Sequence, residues 1–174
     1  MNKFFGHLKT VLHHKKLVFR FCRKAGIPLR GFFHDTSKFS PTDFLPGVRY
    51  FSDGSRSPTV AERLDKGYSA AWLHHKGRNK HHFEYWIEFN WNGEILYKSP
   101  MPTKYLKEMF CDRLAATKTY LKDRYTDFAP LEYYLKKDER AFMHEKTYTQ
   151  LEILLVMLAE KGEKETLAYL RKLK

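Results

Sequence analysis

Residues 31–38 read GFFHDTSK, so a histidine and an aspartate stand side by side at the end of an apolar run. The two phenylalanines before the pair predict burial, and a buried carboxylate requires a cation or hydrogen-bond donors. We interpret His34 and Asp35 as ligands of a divalent metal, because the rest of the chain offers further histidines and aspartates. The alternative is a hydrogen-bonded His–Asp pair in the core.

The composition describes a globular chain with enough residues for a core: 174 residues, 43% hydrophobic and 16% aromatic. We expect one domain over residues 1–174, with a metal core in 1–125 and C-terminal helices in 130–174. Cys22 and Cys111 lie in helix-like apolar patterns, which favours reduced core thiols and a cytoplasmic protein.

The sequence carries no membrane-targeting signal that we recognise. No apolar run is long enough to span a bilayer, and the basic, apolar N-terminus lacks a clear small-residue cleavage site. We therefore expect no signal peptide and no membrane partner.

The charge of the chain is strongly positive, with a formal net charge of +12. This favours an anionic partner such as a nucleotide, another phosphate ester or nucleic acid. The alternative is a solvated basic surface, since the chain has no Lys/Arg-only block and no recognised nucleic-acid motif. The charge indicates the sign of the partner and leaves its identity open.

Helical periodicity at the N-terminus predicts an amphipathic helix over residues 2–25. His14 lies on its apolar stripe, between Val11 and Val18. A short helix over residues 28–37 is predicted to carry the His–Asp pair. A buried histidine is more often hydrogen-bonded than metal-bound, so His14 becomes a candidate ligand only together with the others.

A further helix is predicted over residues 59–76, followed by an aromatic segment. Val60, Leu64 and Tyr68 define an apolar stripe that reaches His75. Residues 81–86 are predicted to be helical as well, and on a helix His82 would share a face with Trp86. This spacing favours His82 over His81 as the inward residue and leaves open which of the two ligates.

The C-terminal half predicts one short hairpin and more helices. An Asn-Gly turn at positions 92–93 favours a β-hairpin near residues 90–98. Helices follow over residues 102–124 and 131–174, so the fold class is mainly α. Asp112 lies on an apolar stripe, where an unpaired carboxylate would cost several kcal/mol; its alternative role is a buried ion pair.

Several histidines and two aspartates therefore face inward from separate helices. Imidazole and carboxylate ligands suit Mn, Fe, Zn, Ni or Co better than Ca or an all-cysteine site. We expect a divalent transition metal as the cofactor.

This set of residues resembles the HD-domain superfamily, a group of helical bundles with a His, a His-Asp pair and a distant Asp. The resemblance implies one or two metal ions. Lys38 matches the His-Asp-x-x-Lys variant of the motif. The ligands that the resemblance implies are His14, His34, Asp35 and Asp112 for the first ion, with His75, His81 and His82 as the additional histidines of two-metal members.

More closely, the chain looks like an uncharacterised HD-like family of bacterial and phage proteins. The similarity covers roughly residues 1–125, through the stretches 12–15, 34–40, 75–86 and 109–112, with a weaker similarity around His144. That family has no assigned activity, so a function is implied by the superfamily alone.

The superfamily implies hydrolysis of a nucleotide or other phosphate ester by metal-activated water. Asp35, Lys38 and Glu84 are the candidate catalytic residues, with Glu84 as a carboxylate that orients a ligating histidine. Lys38 has an equal alternative as the salt-bridge partner of Asp35 or Asp43. The candidate substrate-binding residues are Lys38, Arg78, Asn79 and Lys80.

Two other functions remain open at this point. Some HD-like proteins use the same six-ligand set to hold two irons and oxidise a C–H bond. A third alternative is a basic, non-enzymatic protein that binds nucleic acid or a partner, with a structural metal or none.

Overall fold

The computed structural model describes residues 2–174. Within them lie eight α-helices and one two-stranded antiparallel sheet, which confirms a mainly α fold with a small hairpin. None of these helices combines the length and the apolar character that crossing a bilayer requires. The elements are α1 (Lys3–Lys24), α2 (Pro28–Phe33), α3 (Pro41–Arg49), α4 (Pro58–Lys66), α5 (Ala70–Arg78), β1 (Ile87–Phe89), β2 (Ile95–Lys98), α6 (Thr103–Leu121), α7 (Ala129–Lys136) and α8 (Glu145–Lys172).

Polar residues begin several of the helices. The side chains of Asn2, Ser40 and Ser69 each accept a backbone N–H from the first turn of α1, α3 and α5. These bonds satisfy N–H groups that have no partner within the helix. Proline occupies the first position of α2, α3 and α4, where its missing N–H costs nothing.

The main core lies between α1, α6 and α8. Phe21 of α1, Phe110 of α6 and Leu155 of α8 are fully buried against one another's helices. The backbone of α8 is not helical at Gly162 (φ 77°), where the helix bends. The other fully buried aliphatic side chains of this core are Val18, Leu106, Leu114, Leu151, Leu154, Leu158 and Leu170.

The segment around the His–Asp pair is not the single helix predicted over residues 28–37. The helix α2 ends at Phe33, and a short 3₁₀ turn spans Thr36–Phe39. His34 and Asp35 form the break between them. This break allows two consecutive side chains to be buried, which a continuous surface helix does not favour.

The helix predicted over residues 59–76 is also wrong, because the chain forms two helices there. Gly67 adopts φ 80° and ends α4, a conformation that favours glycine. The apolar stripe predicted on this segment does not face the core: Val60 and Tyr68 are exposed, and Leu64 is 75% exposed. After the break, His75 of α5 is buried as expected.

The aromatic segment and the hairpin lie between α5 and α6. Residues Phe83–Trp86 form a 3₁₀ turn rather than an α-helix. Strands β1 and β2 then pair antiparallel through a turn in which Gly93 has φ 80°. This hairpin agrees with the prediction from the Asn-Gly dipeptide.

Candidate metal centre

Asp35 lies in an unusual backbone conformation between α2 and the 3₁₀ turn. Its φ and ψ are 52° and 34°, in the left-handed region, which costs a non-glycine residue on the order of 1 kcal/mol. Aspartate tolerates this region better than most residues. The reversal places both His34 and Asp35 in the interior, where they are almost fully buried.

The two oxygens of the Asp35 carboxylate face different partners. Oδ2 lies 3.2 Å from His34 Nε2 and 2.6 Å from Lys38 Nζ. Oδ1 lies 3.3 Å from His75 Nε2 and 3.4 Å from His81 Nε2. Asp35 is therefore the centre of the cluster, with one group of side chains on each side.

The first group joins α1, the His–Asp break and α6. His14 Nε2 lies 2.9 Å from Asp112 Oδ1, and His34 Nε2 lies 3.4 Å from the same oxygen. With Asp35 these residues offer four ligand atoms within 4.8 Å of one another. The apolar stripes of α1 and α6 predict that His14 and Asp112 face inward, and the structure places the two side chains in contact.

The second group joins α5 and the loop that follows it. Asp35, His75, His81 and His82 offer one ligand atom each within 4.8 Å of one another. Both members of the doublet belong to this group, and their ring centroids lie 4.2 Å apart. His81 is fully buried and His82 is half-buried, so the predicted preference for His82 as the inward residue is wrong. Burial and the neighbouring charge of His81 lower the pKa of His82 well below 6.5, which keeps it neutral, as a metal ligand must be.

Several buried atoms in these two groups have no hydrogen-bond partner. They are Nε2 of His14, His34, His81 and His82 and both carboxylate oxygens of Asp35. Their mutual distances are short, but the angles do not form hydrogen bonds. Buried polar atoms are nearly always satisfied, and a divalent cation would satisfy imidazole nitrogens and carboxylate oxygens together. The residues present therefore fit a metal.

The charges of the cluster favour an ionised Asp35. Burial alone raises the pKa of this carboxyl, but the charges of His34, Lys38 and His75 outweigh it and hold the pKa well below its usual range. Burial lowers the pKa of His34, but the negative charge of Asp35 and the close contacts with the surrounding carboxylates outweigh it and raise this pKa well above 6.5. Metal binding at His34 would consequently release a proton.

Glu108 is a buried carboxylate behind two of the histidines. It lies one helical turn before Asp112 on α6. His34 Nδ1 contacts its Oε1 at 3.0 Å, His81 Nδ1 lies 3.3 Å from the same oxygen, and Arg30 Nε pairs with Oε2 at 2.5 Å. Glu108 thus orients both rings so that their Nε2 atoms face Asp35. The sequence pattern predicts this orienting role for Glu84 instead.

His75 is oriented by a separate set of polar groups. Its Nδ1 lies 3.1 Å from Ser37 Oγ and 3.4 Å from Asp43 Oδ2. Asn79 donates Nδ2–H to Ser37 Oγ at 2.9 Å and to the backbone oxygen of His75 at 2.7 Å. Asp43 also pairs with His74 Nδ1 at 2.6 Å through Oδ1, whereas its buried Oδ2 has no hydrogen-bond partner.

A cavity of about 110 Å³ adjoins the cluster. His14, Lys38 and His75 form the wall that it shares with the two ligand groups. Lys38 is therefore both the salt-bridge partner of Asp35 and a residue of the cavity, so its two predicted roles are compatible. The remaining lining is mostly apolar, with hydroxyl groups and two carboxylates: His7, Thr10, Val11, Asp43, Pro46, Gly47, Ser57, Pro58, Thr59, Glu62, Ala71, Trp72 and Tyr120.

The structure brings the seven predicted ligands together, but it does not bring all of the other predicted site residues to them. Arg78 and Lys80 are exposed and do not line the cavity. Asn79 fixes His75 and is not in the cavity wall. Within residues 2–174, Glu84 makes no hydrogen bond or ion pair with a cluster histidine, and its buried Oε2 has no partner.

Two carboxylates contact histidines of the site, and the sequence predicts neither of them in that role. Glu108 precedes Asp112 by four residues, so helical spacing puts both on one face. An acidic residue four positions from a predicted ligand is a signal that could have identified it. Asp43 is predicted only as a possible salt-bridge partner of Lys38, and the structure instead places it against His74 and His75.

The fold and the cluster define a helical protein with a buried set of side chains that could hold a metal ion. Residues 3–157 match the model of DUF5662, described as a family of unknown function, and the chain belongs to this family. Searches of the curated proteins and of the solved structures return no match. The family match assigns no activity, and the resemblance to the HD-domain superfamily stays a prediction.

Proposed function

We propose that this protein is a metal-dependent phosphohydrolase whose two ligand groups, which share Asp35, would each hold a divalent ion. The observation that carries the proposal is the position of the Asp35 carboxylate, whose Oδ2 faces His34 and whose Oδ1 faces His75 and His81. A carboxylate with ligands at both oxygens suits a pair of ions. The mixed imidazole and carboxylate donors favour Mn, Fe, Zn, Ni or Co.

Each ion would have four protein ligands. His14, His34, Asp35 and Asp112 would hold one, and Asp35 with the three remaining histidines would hold the other. Bound divalent ions supply hydroxide near neutral pH and neutralise charge on phosphoryl oxygens. Glu108 fixes the rings of His34 and His81 before a metal arrives, since its contacts are to their Nδ1 atoms.

The position of Lys38 in the cavity wall supports an anionic ester as the substrate class. Lys38 places a positive charge on the wall next to the cluster, where it would contact a phosphate oxygen. The apolar wall near Val11 and Trp72 would receive the organic part of a nucleotide or other phosphate ester. The hydroxyls of Thr10 and Thr59 would bind polar groups on that part.

The test is metal analysis combined with turnover. Protein purified without chelator should contain two transition-metal ions per chain and hydrolyse p-nitrophenyl phosphate or bis-p-nitrophenyl phosphate. Asp35→Ala should lose both ions and turnover, and Asp112→Ala should lose at least one ion. Asp123→Ala is the matched control, because Asp123 is exposed in the turn after α6. Turnover by Asp35→Ala with unchanged metal content would overturn the proposal.

A di-iron oxygenase is the second candidate, and the charges of the cavity favour it. Two carboxylates, Asp43 and Glu62, line the cavity. Among the described lining residues, Lys38 is the one Lys or Arg side chain. Such walls suit a neutral, hydroxylated molecule better than a multiply charged one. Two irons per chain with substrate-dependent oxygen uptake would identify this activity. Protein that takes up no metal even after soaking would leave the basic binding protein.

A further inference from the structure

The outward face of α1 alternates apolar and basic side chains. They recur at steps of three and four residues, so they form one stripe along the helix. The stripe lies on the side of α1 away from His14 and Val18, which face the interior. Its members are Phe5, Lys9, Leu12, Lys16, Phe19 and Arg23, and all of them are exposed.

The apolar members of the stripe are unusually accessible. Phe5 is 63% exposed and Leu12 is 50% exposed. The surface continues onto α2, because the rings of Phe19 and Phe32 have centroids 6.5 Å apart. Two further α2 side chains, Leu29 and Phe33, are 75% and 64% exposed. We call these exposed residues of α1 and α2 the basic–aromatic face. An apolar surface that continues across two helices indicates a binding site.

The same part of the chain has an extreme charge bias. Residues 2–34 contain no Asp or Glu, and the first acidic residue is Asp35. In the described part of the chain, Lys9, Lys16 and Arg23 form no salt bridge, so their charges face solvent. The basic residues of this segment are Lys3, Lys9, Lys15, Lys16, Arg20, Arg23, Lys24 and Arg30.

We propose that the basic–aromatic face docks on the surface of an anionic lipid bilayer. Phenylalanine and leucine side chains enter the boundary between headgroups and acyl chains, and lysine and arginine contact the lipid phosphates. Each basic side chain near an anionic leaflet adds to the affinity. This contact lies on the surface and needs no spanning helix, which agrees with the absence of such a helix from residues 2–174.

The chemistry of the face disfavours the other occupants. A second copy of the chain would bring two faces of the same charge together, which costs free energy. Single-stranded nucleic acid binds best where aromatic planes alternate with cations, whereas Leu12 and Leu29 offer no plane for a base to stack on. A bilayer surface accepts both aliphatic and aromatic side chains.

The test is sedimentation of the full chain with vesicles of phosphatidylcholine, with and without phosphatidylglycerol. The wild type should bind only the anionic vesicles and should dissociate as salt is raised. The variant Lys9→Gln, Lys16→Gln, Arg23→Gln should bind about 100-fold more weakly, since each charge near the leaflet contributes roughly fivefold. A matched control replaces Lys161, Lys164 and Lys172 of α8 with glutamine, and it should bind within about threefold of the wild type, because these exposed charges lie outside the face.

A second variant tests the apolar part of the face. Leu12→Ser with Leu29→Ser keeps all charges and should weaken binding to anionic vesicles at every salt concentration. Unchanged helical circular dichroism shows that the variants are folded. The proposal is wrong if the wild type binds neither vesicle, binds both equally, or ignores vesicles and instead binds a single-stranded oligonucleotide through Lys9, Lys16 and Arg23.

Discussion

Replacing Glu108 with glutamine tests whether one buried carboxylate holds a histidine of each ligand group. Glu108 Oε1 lies 3.0 Å from His34 Nδ1 and 3.3 Å from His81 Nδ1, while Oε2 pairs with Arg30 Nε at 2.5 Å. Glutamine keeps the shape of the side chain but removes its charge. It also places an N–H donor against Arg30, which offers no acceptor, or against a histidine Nδ1, which accepts only when the ring carries its proton on Nε2.

The size of the effect follows from the pKa of Glu108. Burial raises this pKa, but hydrogen bonds from His34 and His81 and their charges outweigh it, so the pKa falls from 4.5 to about 2. Because the folded-state pKa is the lower one, ionised Glu108 stabilises the fold above pH 4.5, and the contribution is lost as the pH falls towards 2. The difference corresponds to roughly 3 kcal/mol at pH 7.

We expect Glu108→Gln to lower the free energy of unfolding of metal-free protein by about 2 to 3 kcal/mol at pH 7. A carboxylate behind ligating histidines also contributes about 10- to 100-fold to metal affinity. Urea unfolding with a chelator measures the first quantity, and competition for Mn²⁺ with a fluorescent chelator measures the second.

Glu163→Gln is the matched control for this experiment. Glu163 pairs with Lys24 at 2.9 Å and Lys118 at 3.0 Å, away from the cluster. The control should keep wild-type metal affinity and lose at most about 1 kcal/mol of stability. If Glu108→Gln loses stability but binds metal as tightly as the wild type, Glu108 is structural and our reasoning about its two histidines is refuted.

Three further predictions concern the cavity wall, the second ligand group and the core. Burial, with the charge of Lys38, lowers the pKa of His7 from 6.5 to about 4, so the stability of the wild type should fall as the pH drops through this range. Between pH 7 and pH 5, the stability of His7→Phe in urea unfolding should rise by about 2 kcal/mol relative to that of the wild type. Parallel pH profiles of the two proteins would contradict this prediction. Asn79→Ala should remove the hydrogen bonds that fix His75, so the affinity of one of two metal-binding steps in calorimetry should fall about 10-fold. If both affinities are unchanged, Asn79 serves only to end α5. Leu155→Ala should cost about 3 kcal/mol of stability without changing metal stoichiometry, and a loss of metal at full folding would contradict the separation of core and cluster.

The parts of the site that were predictable lie on regular helices. His14 and Asp112 continue the apolar stripes of α1 and α6, and the structure places them 2.9 Å apart. Helical spacing alone selects the inward face of such an element. The spacing of apolar residues does not predict that α1 packs against α6. The prediction that both side chains are buried is compatible with this packing.

The parts that were wrong or incomplete lie where helices break. The stripe of Val60 and Leu64 continues towards His75 only if the helix is uninterrupted, and the left-handed Gly67 divides it. The preference for His82 over His81 likewise assumed a helix. His82 instead has extended backbone (φ −86°, ψ 131°), so helical faces do not apply there and both rings reach the cluster.

Two carboxylates are shared between the ligand groups, and this sharing links the proposed metal sites thermodynamically. Asp35 supplies one oxygen to each group, and Glu108 holds His34 of one group and His81 of the other. Metal binding at the first site would therefore fix side chains that the second site also needs. The second ion would then bind with a smaller loss of side-chain conformational entropy. We expect metal uptake to be cooperative, with a mostly empty and a fully loaded population and little singly loaded protein between them.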